Sequence, residues 1–299
     1  MFRDEYTWPD CSGSVLGRAT LLLCREHQGE RESFFRSQWS GAPATPIVTV
    51  NFLNLQDCQA TISENSNTQS FSGPIRSLLR EVLGRRDLLR SVVLDITSLQ
   101  HCATMFLVAL LCELRVGELF GVYAEPAQYE MDTSSEFRLS ASFLGNQPVP
   151  GYARANRNER SVVAFLGFEG ERLNRILEER EHIKHLIPVL GVPSYRPGWN
   201  LNSLASAGRV VTSYDALQNL RSCPAFSVHE AIALLDELTQ DEPVLIAPLG
   251  TRPHTLAAAI FASQVKRRAS IAYDHPVEHV ARSVGIGETH VYHLSTYLR

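Results

Sequence analysis

Lysine is almost absent from this chain of 299 residues: only Lys184 and Lys266 stand among its 28 basic side chains. The others are arginines, so a lysine nucleophile has little support, while planar, forked recognition of phosphate or carboxylate is well supplied. The net charge of −4 leaves no large basic footprint for nucleic acid, although a local patch stays open. No CxxC pair occurs. The six cysteines (Cys11, Cys24, Cys58, Cys102, Cys112, Cys223) are scattered, and they read as buried, reduced thiols. The longest apolar window, Met105 to Cys112, is too short to span a bilayer. The opening MFRDEYTWPDC lacks the basic–apolar–small pattern of a signal peptide. These absences lead to the expectation of a soluble, cytoplasmic protein. Missing too are G-x-G-x-x-G, a Walker loop and a G-x-S-x-G elbow, so no dinucleotide, P-loop or serine-hydrolase assignment follows.

What is present is alternation. Candidate strands lie at 19–26, 46–54, 91–99, 118–126, 161–168, 185–194, 209–216, 243–250 and 269–276, with helical patterns such as GPIRSLLREVLGRR and HTLAAAIFASQVKR between them. Continuous apolar strands separated by helices indicate an α/β protein with mostly parallel, Rossmann-like sheets covered on both faces. The halves also align by pattern. TLLLCREHQGERESFF matches SVVAFLGFEGERLNRI, each with Gly-Glu-Arg at a helix start. VVLDITSLQHCATMFLVALL takes the place of PVLIAPLGTRPHTLAAAIFA, and VYAEPAQY that of AYDHPVEH. This predicts a tandem duplication of a unit of about 150 residues, as 1–155 and 156–299, joined by the Gly-, Pro- and Asn-rich stretch 145–161.

Parallel sheets place ligands beyond the carboxyl ends of their strands. That rule selects Asp95, Thr97, Ser98, Tyr123 and Glu125 from the first half. From the second it selects Gly167, Glu169, Gly170, Ser194, Tyr195, Trp199, Gly250, Thr251, Arg252, His254, Thr255, Asp274 and His275. The stretch LGTRPHT (249–255) has the parts of an anion site: Gly250 for close backbone approach, hydroxyls of Thr251 and Thr255, the fork of Arg252, and a helix start. A plain strand-to-helix turn capped by Thr255 or His254 uses the same residues. Tyr195 and Trp199, displayed by PSYRPGW, offer flat surfaces for a base or a roof over the core. The pairs His182/His185 and His275/His279 lack a third ligand, so no metal and no cofactor is expected.

Residues 243–276, with Gly250-Thr251-Arg252, LAAAIFA and ASIAYDHP, resemble the CRISPR-associated Rossmann-fold sensor domains of prokaryotic antiviral systems. The resemblance implies that Thr251 and Arg252 touch a nucleotide ligand. It departs in the prolines flanking the loop, Pro248 and Pro253, and in DITSLQH where a symmetric first half would repeat the loop. The expected ligand is nucleotide-like or a phosphorylated small molecule, with a protein partner in a defence complex as a further expectation. Neither a membrane nor a nucleic acid is expected as the main partner. An enzyme acting on a nucleotide or nucleoside, with Asp95 or Glu125 as acid/base, and a protein-interaction subunit stand as the alternatives.

Overall fold

Four short runs in which every residue is buried, LLLC, SVVLD, SVVAF and VLIAP, form the centres of two sheets. Strands covered on both faces need such continuous apolar sequences. The computed structural model describes residues 5–7, 12–26, 29–39, 45–64, 67–85, 87–129, 139–152, 159–265, 268–278 and 283–298. It is a mixed α/β protein of two units: Met1–Ala127 with Val284–Arg299, and Gln128–Ser283.

The first unit runs through β1 (Glu5–Thr7), α1 (Ser12–Arg18), β2 (Leu21–Cys24), α2 (Glu30–Trp39), β3 (Ile47–Phe52), β4 (Asp57–Glu64), β5 (Asn67–Pro74), α3 (Ile75–Leu83), β6 (Ser91–Asp95), α4 (His101–Leu114) and β7 (Glu118–Tyr129). There follow β8 (Ser140–Phe143), β9 (Ser161–Phe165), α5 (Gly170–Glu178), β10 (His185–Gly191), α6 (Trp199–Ser213), β11 (Arg221–Cys223), α7 (Val228–Leu238), β12 (Val244–Pro248), α8 (Arg252–Gln264), β13 (Ala269–Ile271) and β14 (Pro276–Glu278). The last strand, β15 (Ser283–His293), joins the first sheet.

The sheet of unit 1 has the order β1-β15-β7-β6-β2-β3-β4-β5. Its strands β7, β6, β2 and β3 are parallel, and β3, β4 and β5 form an antiparallel meander. Unit 2 has the wholly parallel sheet β11-β10-β9-β12-β13, with β8 and β14 paired separately. In order of appearance that sheet reads 3-2-1-4-5, the order of doubly wound nucleotide-binding sheets. The parallel strands β3-β2-β6-β7 of unit 1 stand in the same order as β10-β9-β12-β13 of unit 2.

The helices follow their patterns. In α3 the buried residues Ile75, Leu78, Leu79, Val82 and Leu83 recur at the spacing of one helical face. Ser227 caps α7 by accepting a hydrogen bond from the Glu230 amide (3.2 Å). Along α8, every residue from Arg252 to Ala262 is buried, and the alanines keep the helix thin enough for this. Among the described residues no helix is long and apolar enough to cross a membrane. Cys24, Cys58 and Cys223 are buried free thiols, Cys102 and Cys112 are half-buried free thiols, and Cys11 lies outside the described residues.

Several sequence expectations are corrected. RVVTSYDA, read as a strand, is mostly the end of α6, whose buried Ser203, Ala207, Val210 and Val211 keep helical spacing. The stretch 145–152, read as linker, packs into unit 2: Val149 and Tyr152 are buried, and the Tyr152 hydroxyl donates to the Ala259 carbonyl (3.1 Å). Residues 153–158 of that stretch lie outside the described residues. The two units meet in sequence at 127/128, and β15 brings residues 284–299 back to the first sheet.

Candidate functional site

In unit 2 the strand order reverses between β9 and β12, the place where doubly wound sheets open toward ligands. Gly167 and Gly250 stand there. A Cβ on Gly167 would lie 2.1 Å from the Leu249 carbonyl oxygen, and one on Gly250 would lie 3.1 Å from His254 Nδ1. Only glycine permits the first approach.

Three predicted residues, Tyr195 from the loop after β10 and Thr251 and His254 from the β12–α8 junction, meet at one turn, Pro224-Ala225. The hydroxyls of Tyr195 (2.9 Å) and Thr251 (2.6 Å) both donate to the Ala225 carbonyl. His254 Nε2–H donates to the Pro224 carbonyl (3.0 Å), and its ring lies 4.7 Å from that of Phe165. Burial holds the imidazole pKa down at about 4, against a smaller upward pull from the Pro224 bond, so the ring is neutral at pH 7. Thr251 also caps α8 by accepting from the His254 amide, and Thr255 Oγ1 donates to the Thr251 carbonyl (3.3 Å). Arg252, expected to reach out from a loop, is instead the buried first residue of α8 (8% exposed). The polar groups of LGTRPHT thus bind the β12–α8 junction to the turn after β11. At the same edge are the half-buried rings of Phe168 and Trp199, with Tyr129, also of unit 2, 5.1 Å from Trp199.

Other residues chosen at this edge have structural partners. Glu169 accepts from the amides of Leu139 and Ser140 and from the Ser140 hydroxyl. Asp274 holds the buried guanidinium of Arg172 through both oxygens. His275, in the left-handed region at φ 47°, shares a hydrogen bond with the Gln147 carbonyl, and His279 lies outside the described residues.

Asp95, Thr97, Ser98, Tyr123 and Glu125 belong to unit 1. Asp95 Oδ1 accepts from the amides of Thr97 (2.9 Å) and Ser98 (3.3 Å). Thr97 Oγ1 accepts from the Ala124 amide, and Ser98 Oγ from that of Arg25, so the two hydroxyls tie β6 to its neighbours β7 and β2. Asp95 sits opposite Val122, which places it on the face of the core cluster of Cys24, Val122 and Ala124. Strand alternation sends Tyr123 and Glu125 to the other face.

Asp95 Oδ2 has no hydrogen-bond partner among the described residues, and burial raises the carboxyl pKa to about 6 despite the bonds from Ser98 and Thr97. The neutral form is therefore favoured by folding. The stabilisation is present below the unfolded value near 4 and is lost as pH rises through about 6. Asp95→Asn keeps the Oδ1 acceptor and does not titrate. Its stability relative to wild type is expected to rise by roughly 2–3 kcal/mol from pH 4 to pH 7, measured by urea unfolding. A flat difference across that window would show that Asp95 ionises normally.

Sequence reasoning did not find a cluster on the Glu125 face. Glu125 of β7 and Glu288 and His290 of β15 bring three ligand atoms within 4.8 Å of one another. Glu125 Oε1 lies 2.8 Å from His290 Nε2, and the imidazole is stacked near-parallel to the rings of Tyr292 (12°) and Tyr123 (18°). Burial, then Glu5, Tyr123 and Glu125, hold the Tyr292 phenol well above its usual pKa. The signal was in GETHVYH, where strand alternation puts Glu288, His290 and Tyr292 on one face.

The chain matches no known protein-family model, no characterised protein and no solved structure.

Proposed function

We propose that unit 2 is a binding module for a nucleotide or another phosphorylated small molecule, held at the carboxyl edge of its sheet beside β9 and β12. The observation that carries this reading is the 3-2-1-4-5 strand order with its reversal between those two strands. The half-buried rings of Tyr195 and Trp199 at that edge suit a planar base. The resemblance of residues 243–276 to antiviral sensor domains extends the proposal to a sensor or accessory role in a prokaryotic defence system.

A duplication of the two units is part of the same reading. Gln100 and Thr251, matched in the sequence alignment, each immediately precede the helix that follows the third aligned strand. The two Gly-Glu-Arg segments each bury their arginine against aligned residues: Arg31 donates to the Ala124 carbonyl and Arg172 to the Asp274 carboxylate. A catalytic version with Asp95 as acid/base is disfavoured, because its carboxyl is fully buried.

Because Arg252 is buried, its removal would mix folding with binding, and Trp199 gives the cleaner test. In calorimetry against ATP, AMP and inorganic phosphate, at least one nucleotide is expected to bind. Trp199→Ala is expected to weaken it by about 1–3 kcal/mol, roughly one to two decades in Kd. No saturable heat with any nucleotide at millimolar concentration would reject the module.

A further inference from the structure

We propose that Glu125, Glu288 and His290 of unit 1 form a binding site for one divalent first-row transition-metal ion of the Zn2+ or Mn2+ type. The inference is independent of the nucleotide reading, since every residue in it belongs to unit 1.

The donor set comes first. One imidazole nitrogen and two carboxylates converge within 4.8 Å. An ion with bonds of about 2.1 Å keeps adjacent donors about 3.0–3.5 Å apart, so entry needs only small adjustments of side chains already gathered. Two carboxylates alone would suit Mg2+, Ca2+ or Mn2+, and the imidazole shifts preference toward Zn2+.

The surroundings make this more than a group of surface acids. The side chain of Glu125 is only 10% exposed, and among the described residues no arginine or lysine pairs with it. Its one hydrogen-bond partner there is His290, itself 14% exposed in its side chain. A nearly buried carboxylate ordinarily needs a cation or several donors. Its other oxygen, Oε2, faces Gly287: a Cβ there would lie 3.5 Å from Oε2 and 3.0 Å from the Glu125 Cβ, so the glycine keeps room beside the carboxylate. The imidazole orientation is set by stacking with Tyr123 and Tyr292, and its strand neighbour on β1 is Thr7. Glu288 is exposed, which gives the ion a route in from solvent. Three protein ligands also leave coordination positions for water or an anionic ligand.

The test uses the full chain, stripped with EDTA and dialysed. Titration with ZnCl2 and with MnCl2 is expected to show one saturable site per chain, with Mg2+ at least tenfold weaker. Bound Mn2+ should show nitrogen coupling by pulsed electron paramagnetic resonance, lost in His290→Gln. Glu288→Gln changes an exposed side chain and should leave the fold intact. It is expected to weaken Zn2+ at least tenfold, because even outer-shell partners of a metal site are worth about 10–100-fold. No saturable binding overturns the proposal. So does a loss smaller than tenfold in Glu288→Gln, which would place the ion elsewhere.

Discussion

Asp274→Ala is expected to destabilise unit 2 by about 3–5 kcal/mol, enough to abolish folding of a marginal domain. The carboxylate receives Arg172 Nε on both oxygens (3.0 Å each) and Arg172 Nη2 on Oδ1 (2.7 Å), and both side chains are buried. Burial works against the guanidinium charge, but Tyr273 and Asp274 more than offset it and hold the pKa above the usual arginine value. The ring of Tyr273 lies 5.1 Å from the guanidinium carbon. Removing the carboxylate leaves a desolvated cation, and that residue of charge is the source of the cost. A paired change, Arg172→Met with Asp274→Leu, removes both charges and should recover most of the loss. Denaturant unfolding of the single and double variants checks this. A double variant as unstable as Asp274→Ala alone would show that packing, not charge, sets the effect.

The second large effect is expected at Gly170, the first residue of α5. A Cβ there would lie 2.2 Å from the Ser206 carbonyl oxygen and 2.6 Å from Ala207 Cα, both backbone atoms of α6. The helices must separate to admit it. Overpacking costs about 1–3 kcal/mol and more where backbone must move, whereas the gain in helix propensity is at most about 1 kcal/mol. Gly170→Ala should therefore lower Tm by several degrees or more. Gly208, inside α6, is the control: a Cβ there meets nothing within 4 Å. Gly208→Ala should raise stability by about 0.5–1 kcal/mol. If both variants respond alike, the α5–α6 approach is not what requires glycine.

Elements whose burial is written in consecutive residues were legible in the sequence. The strands LLLC, SVVLD, SVVAF and VLIAP and the helices α3, α4 and α8 came out of apolar runs and period alone. The hairpin of β4 and β5 did not. Most of β5, NTQSFSGP, is exposed at a sheet edge, so nothing in its polarity marks a strand. RVVTSYDA misled because Val210, Val211 and Thr212 are β-branched, while the buried positions that make it helical begin at Ser203.

At the candidate sites, residue type was legible and partnership was not. Thr251 and His254 were chosen for their polar groups, yet those groups meet carbonyls 26 and 30 residues away in sequence. Arg252 was placed in a loop with the rest of LGTRPHT, whereas Pro253 in the first turn marks the start of a helix that already includes Arg252. Glu125 was selected as a strand-end acid, but its neighbour His290 is 165 residues distant, beyond any local motif.

The return of β15 to the first sheet has a bearing on the order in which the protein is made. β15 lies between β1 and β7, and among the described residues β1 has no other neighbour in the sheet. During N-to-C synthesis, residues 128–282 all emerge before β15 does. Unit 2 can therefore close on itself while β7 still exposes an unpaired edge and β1 has nothing to join. An open edge is a template for wrong pairing, and it must wait through more than half the chain. Among the described strands, β1 is therefore locked into the sheet only once β15 has been made.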